Sequence, residues 1–147
     1  MNMYAEKLNL QELVDSYAIL SDAKKWHEQA QFFVENGILE SHLNEVVHTY
    51  KGREAIEKCF RHFMHGFHTL FHQNGQAVFH LMDATHATGM VYAVTVCVGN
   101  NEQGIDILTT SGIVYQDQYE KVDEKWLIVK RQANIMWSKS ETYGEGE

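Results

Sequence analysis

Residues 105–137 read IDILTTSGIVYQDQYEKVDEKWLIVKRQANIMW. Two runs rich in β-branched and aromatic residues, 105–119 and 125–137, flank the turn-forming Val122-Asp123-Glu124, which predicts an antiparallel pair of long strands. Upstream, residues 71–82 and 88–98 have the same character. The second half of the chain is therefore predicted to be an antiparallel meander of four long strands.

The first half of the chain carries helical patterns. Apolar residues recur three and four positions apart over residues 10–20, and again from Arg53 to near Gly66, which predicts a helix in each stretch. Between them, Ser21-Asp22 offers a cap for a shorter second helix that ends at Asn36-Gly37. Three helices are therefore expected before the meander.

A short β-prone region interrupts the helices, since residues 38–43 and 46–50 predict a small hairpin. At the other end, residues 138–147 are polar and contain glycine, and we expect a flexible tail there. Helices that precede a mainly antiparallel sheet define the α+β class. At 147 residues the chain is predicted to form one domain with a substantial core.

The strand runs are apolar at both odd and even positions, as in Val91-Tyr92-Ala93-Val94 and Trp126-Leu127-Ile128-Val129. This pattern indicates a sheet that is covered on both faces. The helices can cover only one face. We therefore expect a second copy of the chain to cover the other in a twofold homodimer.

Composition narrows the possible partners and locations. The formal net charge of -8 argues against nucleic acid and anionic membranes, which bind Lys- and Arg-rich surfaces. No apolar run approaches the roughly 20 residues of a membrane-spanning helix, and the first nine residues do not resemble a signal peptide. Cys59 and Cys97 have apolar sequence neighbours and are interpreted as reduced core residues. A cytoplasmic location is expected.

Several phrases, in order along the chain, carry a family resemblance. They are Tyr17-Ala18-Ile19-Leu20-Ser21-Asp22, Gly52-Arg53-Glu54-Ala55-Ile56, His72-Gln73-Asn74, Gly112 with Tyr115 and Asp117, and Trp126 to Arg131. Together they resemble SnoaL-like domains of the nuclear-transport-factor-two-like superfamily, relatives of ketosteroid isomerase, scytalone dehydratase and polyketide cyclases. The resemblance spans about Leu8 to Trp137 of a domain predicted at residues 1–137. It implies a cone-shaped α+β barrel, in which three N-terminal helices and a curved sheet enclose a deep apolar pocket.

Four polar residues are candidates for a catalytic site in such a pocket: Tyr17, Asp22, His72 and Arg131. Each has a structural alternative. Tyr17 could be a core tyrosine, Asp22 a cap of the second helix, His72 a satisfied structural histidine, and Arg131 a strand-edge residue that reaches solvent. A buried Arg131 would need an anion, for which Asp22 or a substrate carboxylate are the candidates. Asp117 is interpreted as a solvated strand residue.

Other kinds of site are not favoured. His62, His65, His68 and His72 are spaced like helical neighbours, but Gly66 interrupts the helix, and no HExxH motif occurs. No GxSxG, GxGxxG or P-loop motif is present. We therefore expect no metal and no nucleotide cofactor.

The resemblance and the candidate residues predict a cofactor-independent lyase or isomerase that acts on a small hydrophobic carbonyl compound. His72 would move a proton, Tyr17 would donate a hydrogen bond to the carbonyl oxygen, and Asp22 with Arg131 would orient these groups or bind an acidic substituent. Two alternatives stay open. The same pocket could carry a ligand without catalysis, or the domain could serve only for dimerisation.

Overall fold

The first helix is longer than its apolar pattern predicted. In the computed structural model, which describes residues 2–144, α1 spans Met3–Asp22. The side chain of Asn2 caps its start by accepting hydrogen bonds from the backbone N–H groups of Tyr4 and Ala5, and such a cap satisfies donors that the helix itself leaves free. The helix therefore begins seven residues before the predicted start.

The second helix is much shorter than predicted. It is the single turn α2, Trp26–Ala30, and its N-cap residue is Lys25, without a side-chain cap. The prediction that Ser21-Asp22 caps this helix is wrong, because α1 continues through both residues. Lys24 then adopts a φ of 57°, a left-handed conformation that ends the first helix and turns the chain.

The six strands that follow α2 form one open sheet. In the sequence, α3 (Arg53–Met64) lies between the second and the third strand. The strand order of the sheet is β2-β1-β6-β5-β4-β3, and neighbouring strands are antiparallel except for the parallel pair β1–β6. The strands are β1 (Phe33–Leu43), β2 (Val46–Lys51), β3 (Phe67–Leu81), β4 (His86–Asn100), β5 (Asp106–Val122) and β6 (Lys125–Thr142). The predicted hairpin and four-strand meander are confirmed, and bulges in β1, β3 and β6 curve the sheet.

Two tight turns fix the register of the hairpins. Asn44 and Glu45 have φ angles of 50° and 67°, and Asp123 and Glu124 have 51° and 65°. Consecutive residues with positive φ form the turn that suits the twist of paired strands. Both turns lie where the sequence predicted a chain reversal.

The first five residues of the predicted C-terminal tail, 138–142, belong to a β-strand. β6 continues to Thr142, and residues 138–142 pair with residues 107–111 of β5. The prediction of a flexible tail is therefore wrong for residues 138–142, because pairing with the equally long β5 satisfies their backbone groups. Residues 145–147 of the predicted tail lie outside the described residues.

The sheet has one helix-covered face and one outer face. On the helix-covered face, strand residues such as Phe79, Val91 and Ile128 are buried against helix residues such as Leu10 and Phe60, and together they form the core. The alternate strand positions make up the outer face. In residues 2–144, no helix is long and apolar enough to cross a membrane.

Candidate functional site

Asp22, the last residue of α1, holds His72 of β3 through two contacts. The Asp22 Oδ1 atom lies 2.6 Å from His72 Nδ1, and Asp22 Oδ2 accepts the backbone N–H of His72 at 3.1 Å. Only 10% of the His72 side chain and 26% of the Asp22 side chain are exposed. A carboxylate in this position favours the tautomer with the proton on Nδ1, which leaves Nε2 free to accept a proton.

This geometry follows from the position of β3 at the edge of the sheet. An edge strand presents backbone groups that need partners, and Asp22, at the end of α1, and Lys24, just beyond it, supply two of them. Besides the Asp22 contact, Lys24 Nζ donates to the carbonyl oxygen of Phe67, and Asn74 Nδ2 donates to Asp15 Oδ1 at 2.9 Å. The helix is thus fastened along the strand that carries His72.

Arg131 is buried on β6 and its anionic partner is Asp117. Arg131 Nε donates to Asp117 Oδ1 at 3.0 Å, and the Tyr119 hydroxyl donates to Asp117 Oδ2 at 2.6 Å. The side chains of Arg131 and Asp117 are 1% and 0% exposed. The interpretation of Asp117 as a solvated residue is wrong, because it faces Arg131 directly across β5 and β6. The expectation that Asp22 pairs with Arg131 is also wrong.

Two tyrosine rings enclose the guanidinium group. The Arg131 Cζ atom lies 4.4 Å from the ring centre of Tyr17 and 3.6 Å from that of Tyr115, distances at which cation–π attraction operates. Tyr17 also makes edge contacts with the rings of Phe33 and Phe60. Tyr17 is therefore a core tyrosine, and its ring contacts Arg131.

The electrostatics of this cluster keep its phenols protonated. Burial raises the pKa of Tyr17, although Arg131 acts in the opposite direction. Burial also raises the pKa of Asp117, against the lowering effects of Arg131 and of the Tyr119 hydrogen bond. The Nη2 atom of Arg131 is buried and has no hydrogen-bond partner. One buried donor on a cation is thus left without an acceptor.

The four predicted residues form two contact pairs, Asp22 with His72 and Tyr17 with Arg131. Arg131 pairs with Asp117 of β5, which in turn pairs with Gly89 of β4. His72 of β3 pairs with Thr95 of β4. Six residues of strand place the two rows about 20 Å apart along the sheet. On α1, Tyr17 and Asp22 are five residues apart, about 7.5 Å along the helix axis.

Small side chains occupy the helix-covered face between the two pairs. Ala77, Ala93 and Ala133 lie there, in register with Val91, Asn74 and Tyr115 respectively, and all three alanines belong to or contact the hydrophobic core. Two depressions in the surface, of about 520 and 360 Å³, are lined by other residues than the two pairs. A deep pocket shared by all four residues stays a prediction.

The histidines of α3 and β3 have separate environments. His65 caps the end of α3, and its Nδ1 atom donates to the backbone carbonyl oxygen of Arg61. His68 Nε2 lies 3.0 Å from Asp106 Oδ1. Within residues 2–144, no group of three or more His, Cys, Asp and Glu side chains is placed to hold a metal ion.

The SnoaL-like domain model matches residues 3–132. The chain belongs to the SnoaL-like domain family. The match covers most of the chain, and the resemblance seen in the local phrases is confirmed. No curated protein matches this SnoaL-like chain significantly by sequence.

Solved structures share the fold of this SnoaL-like domain. A presumed scytalone dehydratase from Novosphingobium aromaticivorans has a TM-score of 0.80 and 19% identity, over 98% of this chain and 95% of that one. The hexachlorocyclohexane dehydrochlorinase LinA type 2 has a TM-score of 0.79 and 18% identity, over 99% and 97%. An NTF2-like protein with a cystatin-like fold from N. aromaticivorans has a TM-score of 0.73 and 17% identity, over 91% and 84%. At these identities, the likeness concerns the fold.

Residues that the sequence interpretation missed in the SnoaL-like domain are Asp117, Tyr119 and Tyr115. They occupy alternate positions in Tyr115-Gln116-Asp117-Gln118-Tyr119, so all three face the core while the glutamines are exposed. The strand period of two was a usable signal. It places a carboxylate between two phenols on the buried face, where a cation such as Arg131 is the natural partner.

Proposed function

We propose that this SnoaL-like domain is a cofactor-independent lyase or isomerase that moves a proton on a small hydrophobic carbonyl compound. The observation that carries the proposal is the contact of 2.6 Å between Asp22 Oδ1 and His72 Nδ1. It supplies an oriented imidazole on the helix-covered face, next to an apolar core. The shared fold with a dehydrochlorinase and a presumed dehydratase is consistent with this class of chemistry.

His72 acts as the base in this proposal. The Nδ1–H group of His72 donates a hydrogen bond to Asp22, which fixes the ring. The Nε2 atom then takes a proton from the carbon next to the substrate carbonyl. The resulting imidazolium is stabilised by the Asp22 carboxylate at 2.6 Å. The same imidazolium then returns the proton to another carbon in an isomerisation, or to a leaving oxygen in an elimination. A positioned base of this kind typically contributes 10²–10⁴-fold to the rate.

Tyr17 and Arg131 form the second polar end of the proposed site. Tyr17 stays protonated because burial raises its pKa, so its hydroxyl can donate a hydrogen bond to an oxygen that gains negative charge. The unpartnered Nη2 of Arg131 can donate to the same oxygen or to an acidic substituent. Since Asp117 already neutralises Arg131, Arg131 acts as a hydrogen-bond donor and not as an unpaired cation.

The substrate class follows from the side chains that line the sheet between Tyr17 and Asp22. The side chains between them on the sheet are alanines and other apolar residues. A small, largely apolar carbonyl compound fits these features.

Proton exchange tests the proposal without knowledge of the product. A panel of small cyclic ketones is incubated with the protein in D₂O, and loss of the α-proton signal is followed by NMR. We expect faster exchange with the wild type than with His72→Ala. The matched control is His80→Ala, since His80 lies on the same strand but is exposed. Equal exchange rates for wild type and His72→Ala with every compound would refute catalysis by His72.

One observation favours the alternative of a non-catalytic domain. The ring of Tyr17 contacts the rings of Phe33 and Phe60 on the helix-covered face, as in a packed core without room for a substrate. Ligand titration distinguishes the two. If the ketones shift no amide signal of Val91, Ala93 or Tyr115 in NMR spectra, the interior is closed, and the domain serves for association alone.

A further inference from the structure

Hydroxyl side chains line up across the sheet beside His72. His72 of β3 pairs with Thr95 of β4. Thr95 in turn pairs with Ser111 of β5, and Ser111 pairs with Ser138 of β6. Paired residues project to the same face of a sheet, and Ser111 alternates in phase with the buried Tyr115 on β5. Neighbouring strands lie about 4.8 Å apart, so this row extends about 14 Å from His72 across the helix-covered face.

A second row lies two residues farther along the same strands. It contains four residues in register, Leu70, Cys97, Thr109 and Ser140. The hydroxyl oxygens of Thr109 and Ser140 are 2.8 Å apart, and those of Ser111 and Ser138 are 3.0 Å apart. Neither row contains Asp, Glu, Lys or Arg. The five hydroxyl residues form a polar but uncharged surface, which we call the hydroxyl ledge: Thr95, Thr109, Ser111, Ser138 and Ser140.

Thr95 is the ledge residue next to His72, and it is buried. The residue is 5% exposed, and within residues 2–144 its hydroxyl has no hydrogen-bond partner. Buried polar side-chain atoms nearly always have a partner, in the protein or in a bound molecule. An unpartnered hydroxyl beside the histidine that Asp22 orients therefore marks a position for a ligand atom.

The ledge connects this buried position with solvent. Exposure increases from β4 to β6, since Thr95 is buried, Ser111 is half-buried and Ser138 is exposed. A ligand group that moves along the ledge exchanges hydrogen bonds with water for hydrogen bonds with side-chain hydroxyls. This exchange suits a hydroxyl group, because hydroxyls on both sides donate and accept. A carboxylate finds no positive charge in either row, and the Asp22 carboxylate at the inner end repels it.

We propose that the hydroxyl ledge binds hydroxyl groups of the substrate, which is therefore a neutral, hydroxylated carbonyl compound. The inference rests on the proposed function in that it takes His72 as the reacting group. Thr95 binds the substrate hydroxyl nearest to His72, and Ser111 binds a second one, about 5 Å farther across the sheet. The apolar part of the compound lies over Ala93, the next core residue on this face of β4. The ledge thus determines specificity, whereas His72 transfers the proton.

Ligand titration with a matched pair of ketones tests the proposal. Tetralone and a dihydroxytetralone, with both hydroxyls on the aromatic ring, share the ring system and the α-protons. Amide shifts in NMR spectra give the two dissociation constants. We expect the wild type to bind the dihydroxytetralone about tenfold more tightly, as one or two neutral hydrogen bonds permit. In Thr95→Val and in Ser111→Ala, this preference should fall to about threefold or less.

The matched control is Thr110→Val. Thr110 lies next to the ledge on β5 but belongs to the outer face, where it pairs with Val96, so the control should keep the wild-type preference. A merely structural role of Thr95 or Ser111 would weaken the binding of both ketones alike. Ser111→Ala keeps the test valid if Thr95→Val impairs folding, because Ser111 is only half-buried.

Proton exchange of the same ketones in D₂O separates this inference from the proposed function. If the dihydroxytetralone binds preferentially, but neither ketone exchanges its α-protons faster than in buffer, the ledge is supported and catalysis by His72 is refuted. If exchange is accelerated while both ketones bind equally tightly to the wild type, catalysis is supported and the ledge is overturned. A preference that survives in both Thr95→Val and Ser111→Ala would also overturn the ledge.

Discussion

The carboxylate of Asp22 binds His72 twice, once at the imidazole and once at the backbone N–H. The first contact orients a titratable ring, and the second closes a hydrogen bond on an edge strand. One side chain thereby couples the end of α1 to the position and the tautomer of a histidine 50 residues later. The proposed proton transfer and the fold both involve this carboxylate, and variants of Asp22 can separate its two roles.

Asp22→Asn should change the tautomer of His72 without unfolding the protein. The asparagine retains an oxygen for the backbone N–H but loses the charge that favours the proton on Nδ1. We expect ¹⁵N NMR of the histidine rings to show Nδ1–H in the wild type and a substantial Nε2–H population in the variant. Unchanged ring nitrogen signals would contradict the assigned contact.

Tyr17→Phe should leave stability almost unchanged and slow proton exchange. Phenylalanine retains the ring contacts with Phe33, Phe60 and Arg131, whereas the hydroxyl donor is lost. Removal of one donor to a developing oxyanion typically costs about 10²–10³-fold in rate. A loss of about 1–3 kcal/mol in unfolding free energy, with an unaltered exchange rate, would instead identify a buried structural hydrogen bond.

Arg131→Leu should destabilise the domain strongly. It leaves the Asp117 carboxylate buried with only the Tyr119 hydroxyl as a partner, and breaking a buried ion pair on one side costs about 3–5 kcal/mol. Urea unfolding monitored by circular dichroism measures the effect. Lys58→Leu, at a side chain that is 75% exposed, serves as the control and should change stability by less than about 0.5 kcal/mol. The double variant Asp117→Asn with Arg131→Leu should lose less than the sum of the single changes.

Cys97 should react slowly with iodoacetamide at neutral pH. Burial, followed by the negative charge of Asp22, raises the pKa of its thiol to about 11, and only the thiolate reacts. Near pH 8 the thiolate fraction is roughly 10²-fold below that of a free cysteine. Measured in a Cys59→Ser background, the rate should still increase above pH 9. A plateau near pH 8.5 would show an unperturbed thiol.

Glu6 should stabilise the fold only above acidic pH. The hydrogen bond from Lys121 holds the pKa of this carboxyl below its usual value of 4.5; burial opposes this, and Trp126 adds a second lowering contact. A depressed folded-state pKa gives stability that is present above about pH 4.5 and lost as pH falls below it. Thermal unfolding of Glu6→Gln should therefore begin at a lower temperature than in the wild type at pH 7. The two proteins should converge towards pH 3.

The sequence carried most of the fold because its periodic patterns report local structure. The residue types at Asn44 and Asp123 indicated the hairpin turns, and the residues of β5 alternate between apolar and polar with the period of a strand. The ends of α1 were not, because Asn2 lies outside the apolar repeat and Asp22 resembled a cap. The partner of Arg131 was missed for a different reason. Pairing of Asp117 with Arg131 depends on the register of β5 and β6, which a bulge between Gln118 and Tyr119 shifts.

The candidate residues were predictable individually, but their grouping was not. Tyr17 and Asp22 lie on one helix, yet Asp22 contacts the edge strand β3 while Tyr17 contacts Arg131 on the central strand β6, because α1 crosses the strands. Such a crossing depends on tertiary packing and leaves no pattern in the sequence.

Strands β3 and β4 contain no Asp, Glu, Lys or Arg, and this affects the risk of aggregation during synthesis of the chain. While the polypeptide is still unfolded, these two segments offer long β-prone stretches without the charged gatekeeper residues that oppose intermolecular stacking. α1 precedes these strands in the sequence and is synthesised before them, so Lys24 and Asp22 can occupy the edge of β3 as soon as it emerges. An intact first helix would then protect the edge of β3 from pairing with other chains. Its removal would lead to aggregation of the newly made chain and not merely to slower folding of the monomer.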